Sequence, residues 1–168
     1  MLTHPWKIPA ESGIRALYEW DALRDFVAAA LDKARLYPYA DPLGALNLAV
    51  MEAGDELAWH FDQTDFVVSL ALVPAAVGGD FEFAPRVRTA DDECYQDVER
   101  VLHGDERRVR RLPMMPGTLL LFEGRYSLHR VTPIAGDRPR LVALLAYDTK
   151  PGTTSSELLR LVRYGRTG

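Results

Sequence analysis

The sequence has little of two residue types that often carry chemistry: of its 168 residues, one is cysteine and four are histidine. The single thiol, Cys94, excludes an internal disulfide. Long apolar runs are also missing, since the longest are about half of the roughly 20 residues that a membrane-spanning helix needs. The N-terminal residues lack the basic and then apolar pattern of a secretory signal. We therefore expect a soluble, cytoplasmic protein with no membrane partner.

A strong excess of one charge is missing as well, because 24 acidic residues stand against 20 basic ones, for a net charge of -4. Nucleic-acid-binding domains are usually strongly basic or carry a basic stripe. The one basic cluster, at residues 106–111, has no interleaved aromatic residues and indicates a solvated loop or strand edge. We therefore expect no nucleic-acid partner. No repeat, low-complexity segment or linker divides the sequence, which predicts a single domain over residues 1–168.

Periodicity predicts one helix followed by many short strands. Residues 1–42 form a helical lead-in, irregular at first, with apolar residues at steps of three and four from Asp21 to about residue 36. Residues 43–150 contain about seven or eight apolar or alternating runs separated by glycine and proline turns. A helical insertion at 89–103 interrupts them, and residues 158–164 favour a short terminal helix. The pattern predicts a mainly β fold, either a sandwich or a jelly-roll barrel.

Two histidines and one carboxylate are candidate metal ligands. His60 and Asp62 lie two residues apart in a run typical of a strand, so their side chains share a face. His129 lies in another short strand, 67 residues beyond Asp62. Each histidine alone is more often a core or rim residue, but distant strands of a jelly roll can converge at one mouth of the barrel. Two histidines and one carboxylate on one face of a metal suit non-haem Fe(II) oxygen chemistry.

Two arginines follow the second histidine, Arg138 by 9 residues and Arg140 by 11. Strand alternation does not separate them, because they share a face if the strand begins that early. A guanidinium inside an apolar barrel is costly unless it meets an anion, and it can hold a carboxylate in a two-pronged pair. Arg140 is the first choice because it directly precedes the last apolar run, and at least one of the two is expected to be a surface charge beside a turn.

The order of these features resembles the 2-oxoglutarate- and Fe(II)-dependent dioxygenases. The resemblance covers about residues 43–150 and depends on H-x-D, a strand, Gly-Gly, and then PGTLLLF at 116–122 and HRVTPIAGDRPR at 129–140. The segments WHFD, GGDFEF, FEGRYSLHRVTP and AYD are similar to a bacterial subgroup of small-molecule oxygenases, labelled ArpA-like or neighbours of the HalD type. The resemblance implies a double-stranded β-helix (the jelly-roll, cupin-like fold), and it leads us to expect a longer region before the first helix.

The resemblance also implies roles for individual residues. His60, Asp62 and His129 would bind Fe(II), and Arg140 or Arg138 would bind the distal carboxylate of 2-oxoglutarate. The implied reaction uses O2 to oxidise a C–H bond of a small molecule, such as an amino acid or a natural-product intermediate, and releases succinate and CO2. Related halogenases replace the carboxylate ligand with a small residue that leaves room for chloride. Asp62 therefore predicts hydroxylation rather than halogenation.

Further residues are candidates for the pocket, each with a plainer alternative. Asn47 interrupts an apolar strand and either contacts cosubstrate or substrate or makes a structural hydrogen bond. Trp59 and Phe83 either line the pocket or belong to the core. Three arginines are candidates for binding a substrate carboxylate: Arg86, Arg88 and Arg125. For Arg86 and Arg88 the simpler expectation is surface pairing with Asp91 or Asp92, and Arg125 has the same ambiguity. The insertion at 89–103 is a candidate lid.

Two other functions are compatible with a jelly roll. A cupin-like metal-dependent isomerase or hydrolase would need no carboxylate-binding arginine, and an extra histidine or glutamate ligand would favour it. Neither His4 nor His103 is well placed to be that ligand. A non-catalytic binding module is disfavoured by the intact ligand set. The sequence indicates neither the oligomeric state nor the identity of the substrate.

Overall fold

A computed structural model of the protein describes residues 8–165, apart from the side chains of residues 162–164. Two helices precede the sheets, one interrupts them and one ends the chain. The four α-helices of the described range are α1 (Gly13–Glu19), α2 (Asp21–Ala30), α3 (Tyr95–Leu102) and α4 (Glu157–Tyr164). Not one of these four is long and apolar enough to cross a lipid bilayer.

Short strands make up most of the remaining architecture. The strands of the described range are β1 (Tyr37–Pro38), β2 (Leu46–Met51), β3 (Leu57–His60), β4 (Val67–Val73), β5 (Val77–Gly78), β6 (Phe81–Ala84), β7 (Arg110–Leu112), β8 (Leu119–Phe122), β9 (Leu128–Val131), β10 (Ile134–Ala135), β11 (Arg140–Leu145) and β12 (Tyr147–Asp148). The pairs β1–β12 and β5–β10 form two small ribbons.

Eight strands form two antiparallel sheets of four. We call the sheet with the order β2-β11-β4-β8 the major sheet, and the sheet with the order β3-β9-β6-β7 the minor sheet. Along the chain, most successive strands switch from one sheet to the other, which is the connectivity of a jelly roll. The mainly β, jelly-roll prediction is therefore confirmed.

The inner faces of the two sheets pack against each other. One apolar cluster contains Met51, Ala71 and Leu120 from the major sheet together with Phe81 and Val131 from the minor sheet. Because side chains alternate along a strand, these residues identify which positions of each strand face the interior. The residues two positions away on the same strands share that face.

The first two helices cover the outer face of the major sheet, where Val27 packs in one cluster with Leu145. Two tyrosines join α1 to the end of this sheet. The hydroxyl of Tyr18 donates to the carbonyl oxygen of Ala146 at 2.9 Å, and the hydroxyl of Tyr147 donates to the carbonyl oxygen of Tyr18 at 2.8 Å. The helical layer therefore supports the barrel from outside and leaves its interior free.

Parts of the predicted lead-in are wrong. Gly13–Glu19 is helical rather than irregular, because Ser12 Oγ caps its first turn by accepting from the Arg15 backbone N–H at 3.3 Å. The next helix ends at Ala30, well before residue 36, and Asp32 then adopts a positive φ of 52° that no α-helix contains. The beginning of the predicted 1–42 segment, before residue 8, lies outside the described residues.

The predicted insertion at 89–103 is helical only in its second half. Thr89 Oγ1 accepts from the backbone N–H groups of Asp91 and Asp92, at 3.3 and 3.1 Å, so the chain forms a turn there instead of a helix. Cys94 is left-handed, with a φ of 48°, and α3 begins only after it. The predicted terminal helix is confirmed, since α4 covers Glu157–Tyr164.

Candidate metal centre

The two candidate histidines lie side by side on the inner face of the minor sheet. Strands β3 and β9 pair so that His60 lies opposite His129, and the ring centroids are 4.1 Å apart. A shift of register between Leu57 and His60 inserts an extra residue into β3. Leu57 and His60 therefore both face the interior although they are three positions apart, which a strand without a bulge does not allow.

Asp62 reaches the same point from the loop that follows β3. Its backbone N–H donates to the carbonyl oxygen of Gly124 at 3.0 Å, which ties this loop to the one after β8. The carboxylate is 9% exposed, with Oδ1 at 3.9 Å from Nε2 of His60 and Oδ2 at 3.3 Å from Nε2 of His129. One donor atom from each of the three residues lies within 4.8 Å of the others.

Backbone carbonyls orient both imidazoles. Nδ1 of His60 lies 2.8 Å from the carbonyl oxygen of Ala58, and Nδ1 of His129 lies 2.9 Å from that of Ser127. Because a carbonyl oxygen only accepts hydrogen bonds, each Nδ1 carries the proton. In the neutral ring each Nε2 is then an electron-pair donor that points at Asp62, which is the tautomer of a metal ligand held by a backbone partner.

Burial keeps the His129 ring neutral. It lowers the pKa of His129 below the ordinary value, and the nearby His60 ring lowers this pKa further. The Asp62 carboxylate and the hydrogen bond to Ser127 act in the opposite direction but do not outweigh burial. A neutral imidazole at neutral pH is the form that binds metals.

An unsatisfied buried oxygen tests whether this set fits a metal. Oδ2 of Asp62 is buried without a hydrogen-bond donor among the described residues. Three sets of lone pairs therefore converge with no proton between them, an unfavourable arrangement that a cation resolves. Two ligands at about 2.1 Å from one ion lie no more than about 4.2 Å apart, as the 3.3 and 3.9 Å separations do here. The residues present fit a metal ion.

Arg140 is a buried cation without an acidic partner in the described part of the chain. It is 6% exposed, lies opposite Met51 in the register of β11 and β2, and places Nη1 3.7 Å from the Met51 sulfur. Burial lowers the pKa of Arg140 to about 10. Gly79 makes room for it, since a Cβ there would lie 3.1 Å from Cδ of Arg140. The guanidinium is therefore placed to receive an anion from the interior.

Arg138 lies elsewhere. It is exposed in the turn before β11, where its guanidinium donates to the carbonyl oxygens of Pro74 and Ala75 at 3.0 and 3.3 Å. Because the strand begins only at Arg140, the shared face that a longer strand would have given the two arginines does not exist. Of the two candidates, only Arg140 faces the inside of the barrel.

A polar pair on the inner face of the major sheet includes one residue that the sequence analysis missed. Asn47 and Ser69 flank Leu144 from the two neighbouring strands and are 8% and 5% exposed. Asn47 Nδ2 donates to the carbonyl oxygen of Gly44 at 3.2 Å. The hydroxyl of Ser69 makes no hydrogen bond within residues 8–165. The signal for Ser69 was the one that singled out Asn47, a polar residue within an apolar strand.

The aromatic candidates divide between the two faces of the minor sheet. Phe83 lies opposite His129 in the register of β6 and β9 and faces the interior, where Phe122 also meets the His129 ring at 4.8 Å. Trp59 lies on the outer face, with the guanidinium of Arg130 4.7 Å from its ring. The expectation that Trp59 lines the pocket is therefore wrong, because it directly precedes His60 and strand neighbours point to opposite faces.

The three arginines proposed for a substrate carboxylate already have acidic partners. Arg86 pairs with Glu123 at 2.6 Å, and Arg88 pairs with Glu93 at 2.7 Å. Arg88 also donates to the Arg125 carbonyl oxygen at 2.7 Å and lies 3.7 Å from the ring of Phe61. Arg125 pairs with Asp65 at 2.6 Å. All three therefore form ion pairs, as the simpler expectation had it, but the partners expected for Arg86 and Arg88, Asp91 or Asp92, are wrong.

The helix of the insertion covers the back of the minor sheet rather than its inner face. Val101 of α3 packs with Ala84 and Leu128, which are paired in β6 and β9. These positions alternate with Phe83 and His129, so they point away from the metal ligands. The structure therefore places the candidate lid behind the site.

Comparison with known proteins identifies a matching family. The sequence pattern of the family described as HalD, Halogenase D, matches residues 7–158. A search of curated proteins finds no match.

Solved structures share the fold at low sequence identity. An oxidoreductase of the 2OG-Fe(II) oxygenase family from Burkholderia pseudomallei is 15% identical with a TM-score of 0.62, over 89% of this chain and 62% of that one. EvdMO1 is 19% identical with a TM-score of 0.60, over 89% of this chain and 35% of its own. ThoJ, a non-heme monooxygenase solved with nickel, is 20% identical with a TM-score of 0.53, over 76% of this chain and 49% of that one. The chain spans less than two thirds of the length of each.

Proposed function

The chain belongs to the Halogenase D family, and from that premise we propose that it is an Fe(II)- and 2-oxoglutarate-dependent dioxygenase that hydroxylates a C–H bond of a small molecule. The observation that carries the proposal is the convergence, at one point, of the two histidine Nε2 atoms and a buried carboxylate oxygen that has no hydrogen-bond donor among the described residues. This is the facial set that non-haem iron prefers. An amino acid or a natural-product intermediate is the proposed class of substrate.

Each residue of the proposed site has a distinct task. His60, Asp62 and His129 hold the metal, with the Ala58 and Ser127 carbonyls fixing the two rings. Arg140 pairs with the distal carboxylate of 2-oxoglutarate and thereby gains an anionic partner, which the described residues do not provide. When bound, the iron and 2-oxoglutarate supply the oxidation of the C–H bond by O2, with release of succinate and CO2.

The inner walls supply orientation and a dry surface. Phe81 and Phe122 lie beside the His129 ring, with Phe83 opposite His129 in the sheet register, and we propose that these residues exclude water from that side of the metal. Asn47 and Ser69 offer polar groups on the facing sheet, and we propose that they contact the cosubstrate or a polar group of the substrate. With Arg86, Arg88 and Arg125 neutralised by acidic partners, substrate recognition falls to these interior residues.

Asp62 supports hydroxylation as the proposed reaction, although the family is named for a halogenase. The resemblance drawn from the sequence implies that related halogenases carry a small residue at this position, which leaves room for chloride. The cupin-like alternative is not favoured, since the donor cluster found within the described residues has no fourth ligand. A loss of activity is not favoured either, because the ligand set is complete.

We also propose that residues 1–168 form one domain and that the protein is cytoplasmic. Membership of an ArpA-like subgroup stays a prediction of the sequence motifs. So does the absence of a nucleic-acid partner.

The reaction can be tested by mass spectrometry of the products. The protein is supplied with Fe(II), 2-oxoglutarate, O2 and a panel of amino acids and small carboxylated metabolites, in the presence and absence of chloride. We expect slow succinate formation without substrate, faster formation with a true substrate, and a product heavier by one oxygen atom whether or not chloride is present.

A matched reaction without 2-oxoglutarate is the control. A chlorinated product would overturn the assignment as a hydroxylase while leaving the iron site in place. Failure to form succinate under all conditions, with the protein folded and loaded with iron, would overturn the proposed function itself.

A further inference from the structure

Gly124 lies in direct contact with the carboxylate of Asp62. A Cβ added at Gly124 would lie 2.0 Å from Oδ2, 2.8 Å from Cγ and 2.9 Å from Cβ of Asp62. Non-bonded carbon and oxygen atoms do not approach so closely, so a side chain at 124 and the carboxylate at its present position exclude each other. Gly124 is not among the glycines of positive φ. Space, rather than backbone conformation, is what requires glycine here.

The backbone prevents these two residues from moving apart. The Asp62 N–H donates to the Gly124 carbonyl oxygen at 3.0 Å, and the Gly124 N–H donates to the carbonyl oxygen of Phe122 at 3.1 Å. Phe122 belongs to β8 and contacts the His129 ring. A side chain at 124 therefore has to displace the whole Asp62 side chain, Cβ included, and with it the carboxylate beside His129.

We propose that Gly124 is a positioning residue that reserves the volume of the Asp62 carboxylate, so that only one of residues 62 and 124 can carry a side chain. The inference rests on the proposed metal centre and extends it. Whether the centre has three ligands or only the two histidines therefore depends on residues 62 and 124 together, not on residue 62 alone. An alanine at 124 should convert the first kind of centre into the second even though Asp62 is still present.

Metal binding by four proteins tests this coupling: the wild type, Gly124→Ala, Asp62→Gly and the double variant. Co(II) is the probe, followed by its visible absorption and by calorimetry, without oxygen and without any assay of activity. We expect Gly124→Ala to weaken Co(II) binding by at least about tenfold, the loss typical for residues that orient a ligand. Its absorption spectrum should resemble that of Asp62→Gly.

The double variant separates positioning from a general disturbance. If residue 124 acts only through the carboxylate, Gly124→Ala should cause no further loss of Co(II) affinity once Asp62 is glycine, whereas independent effects would multiply. If Gly124→Ala lowers the melting temperature through the steric conflict, Asp62→Gly should restore it in the double variant. Gly13→Ala is the matched control, because a Cβ at Gly13 meets nothing within 4 Å.

The outcomes distinguish this inference from the proposed function. Wild-type affinity and spectrum in Gly124→Ala would overturn the role of Gly124 and leave the metal centre standing. A melting temperature that Asp62→Gly does not restore, or multiplied losses in the double variant, would also overturn it. Absence of Co(II) binding by the wild type would overturn both.

Discussion

Replacing His129 with alanine should weaken Fe(II) binding by at least about 100-fold. Even the loss of a residue that only orients a metal ligand lowers metal affinity by about 10- to 100-fold. His129 is 3% exposed, and its Nε2 is aimed at Asp62 by the Ser127 carbonyl. Neither water nor a neighbouring residue can supply a nitrogen ligand at the same place. The loss should appear as a large rise in the dissociation constant measured anaerobically by calorimetry.

His103→Ala is the matched control for this substitution. His103 follows α3 on the far side of the minor sheet and has no part in the ligand cluster. Circular dichroism should show both variants folded. If His129→Ala bound Fe(II) as tightly as His103→Ala, the assignment of His129 as a ligand would be wrong.

Replacing Arg140 with methionine should weaken 2-oxoglutarate binding and stabilise the empty protein at the same time. Removing one member of a buried charge pair costs about 2 to 5 kcal/mol, so the dissociation constant for 2-oxoglutarate should rise by at least about 30-fold. The measurement is a titration of the metal-loaded protein with 2-oxoglutarate. Arg138→Met is the matched control and should leave this constant unchanged, because Arg138 is an exposed residue outside the barrel.

The same substitution should make the ligand-free protein more stable, because the described residues place no acidic partner beside this buried cation. Among the described residues its guanidinium makes one hydrogen-bond contact, with the sulfur of Met51 at 3.7 Å, and burial lowers the Arg140 pKa to about 10. Methionine keeps the apolar stem of arginine and removes the charge, which should raise the free energy of unfolding of the ligand-free protein by about 1 to 4 kcal/mol. A lower stability in Arg140→Met, measured by denaturant titration, would show that the guanidinium has a structural partner.

The ligand set could be predicted from the sequence because its signals are local. His60 and Asp62 are only two residues apart, although β3 ends at His60 and the loop after it, rather than strand alternation, brings the carboxylate to the site. His129 needed one further assumption, that two distant strands meet, and the family resemblance supplied it. The pairing of β3 with β9 shows how they meet.

Strand alternation could not separate Arg140 from Arg138, and the preference for Arg140 came only from its position directly before the last apolar run, because the answer depends on where one strand begins. The two arginines are two positions apart, so in one strand they would share a face. Because β11 begins only at Arg140, Arg140 lies inside the barrel and Arg138 lies in the preceding turn. The placement of Trp59 was predictable, since it adjoins His60 in the same strand. The helix α1 had a signal in Ser12, a capping residue that the nearby prolines and glycine obscured.

The role of Gly124 has no signal in the sequence. Glycine at the end of a strand usually marks a turn, and nothing in the order of residues shows that its missing side chain lies against a carboxylate 62 positions earlier. A steric exclusion between two loops depends on the distance between them. Only the folded structure supplies that distance.

The central claim is that one Fe(II) ion and one 2-oxoglutarate bind together between His60, Asp62, His129 and Arg140. The most direct test is the visible charge-transfer absorption that forms when 2-oxoglutarate chelates Fe(II), recorded without oxygen on the wild-type protein. We predict a band that saturates at one equivalent of Fe(II), that His129→Ala abolishes, and that Arg140→Met shifts to higher 2-oxoglutarate concentration. A folded wild-type protein that gives no such band at saturating Fe(II) and 2-oxoglutarate would contradict the claim.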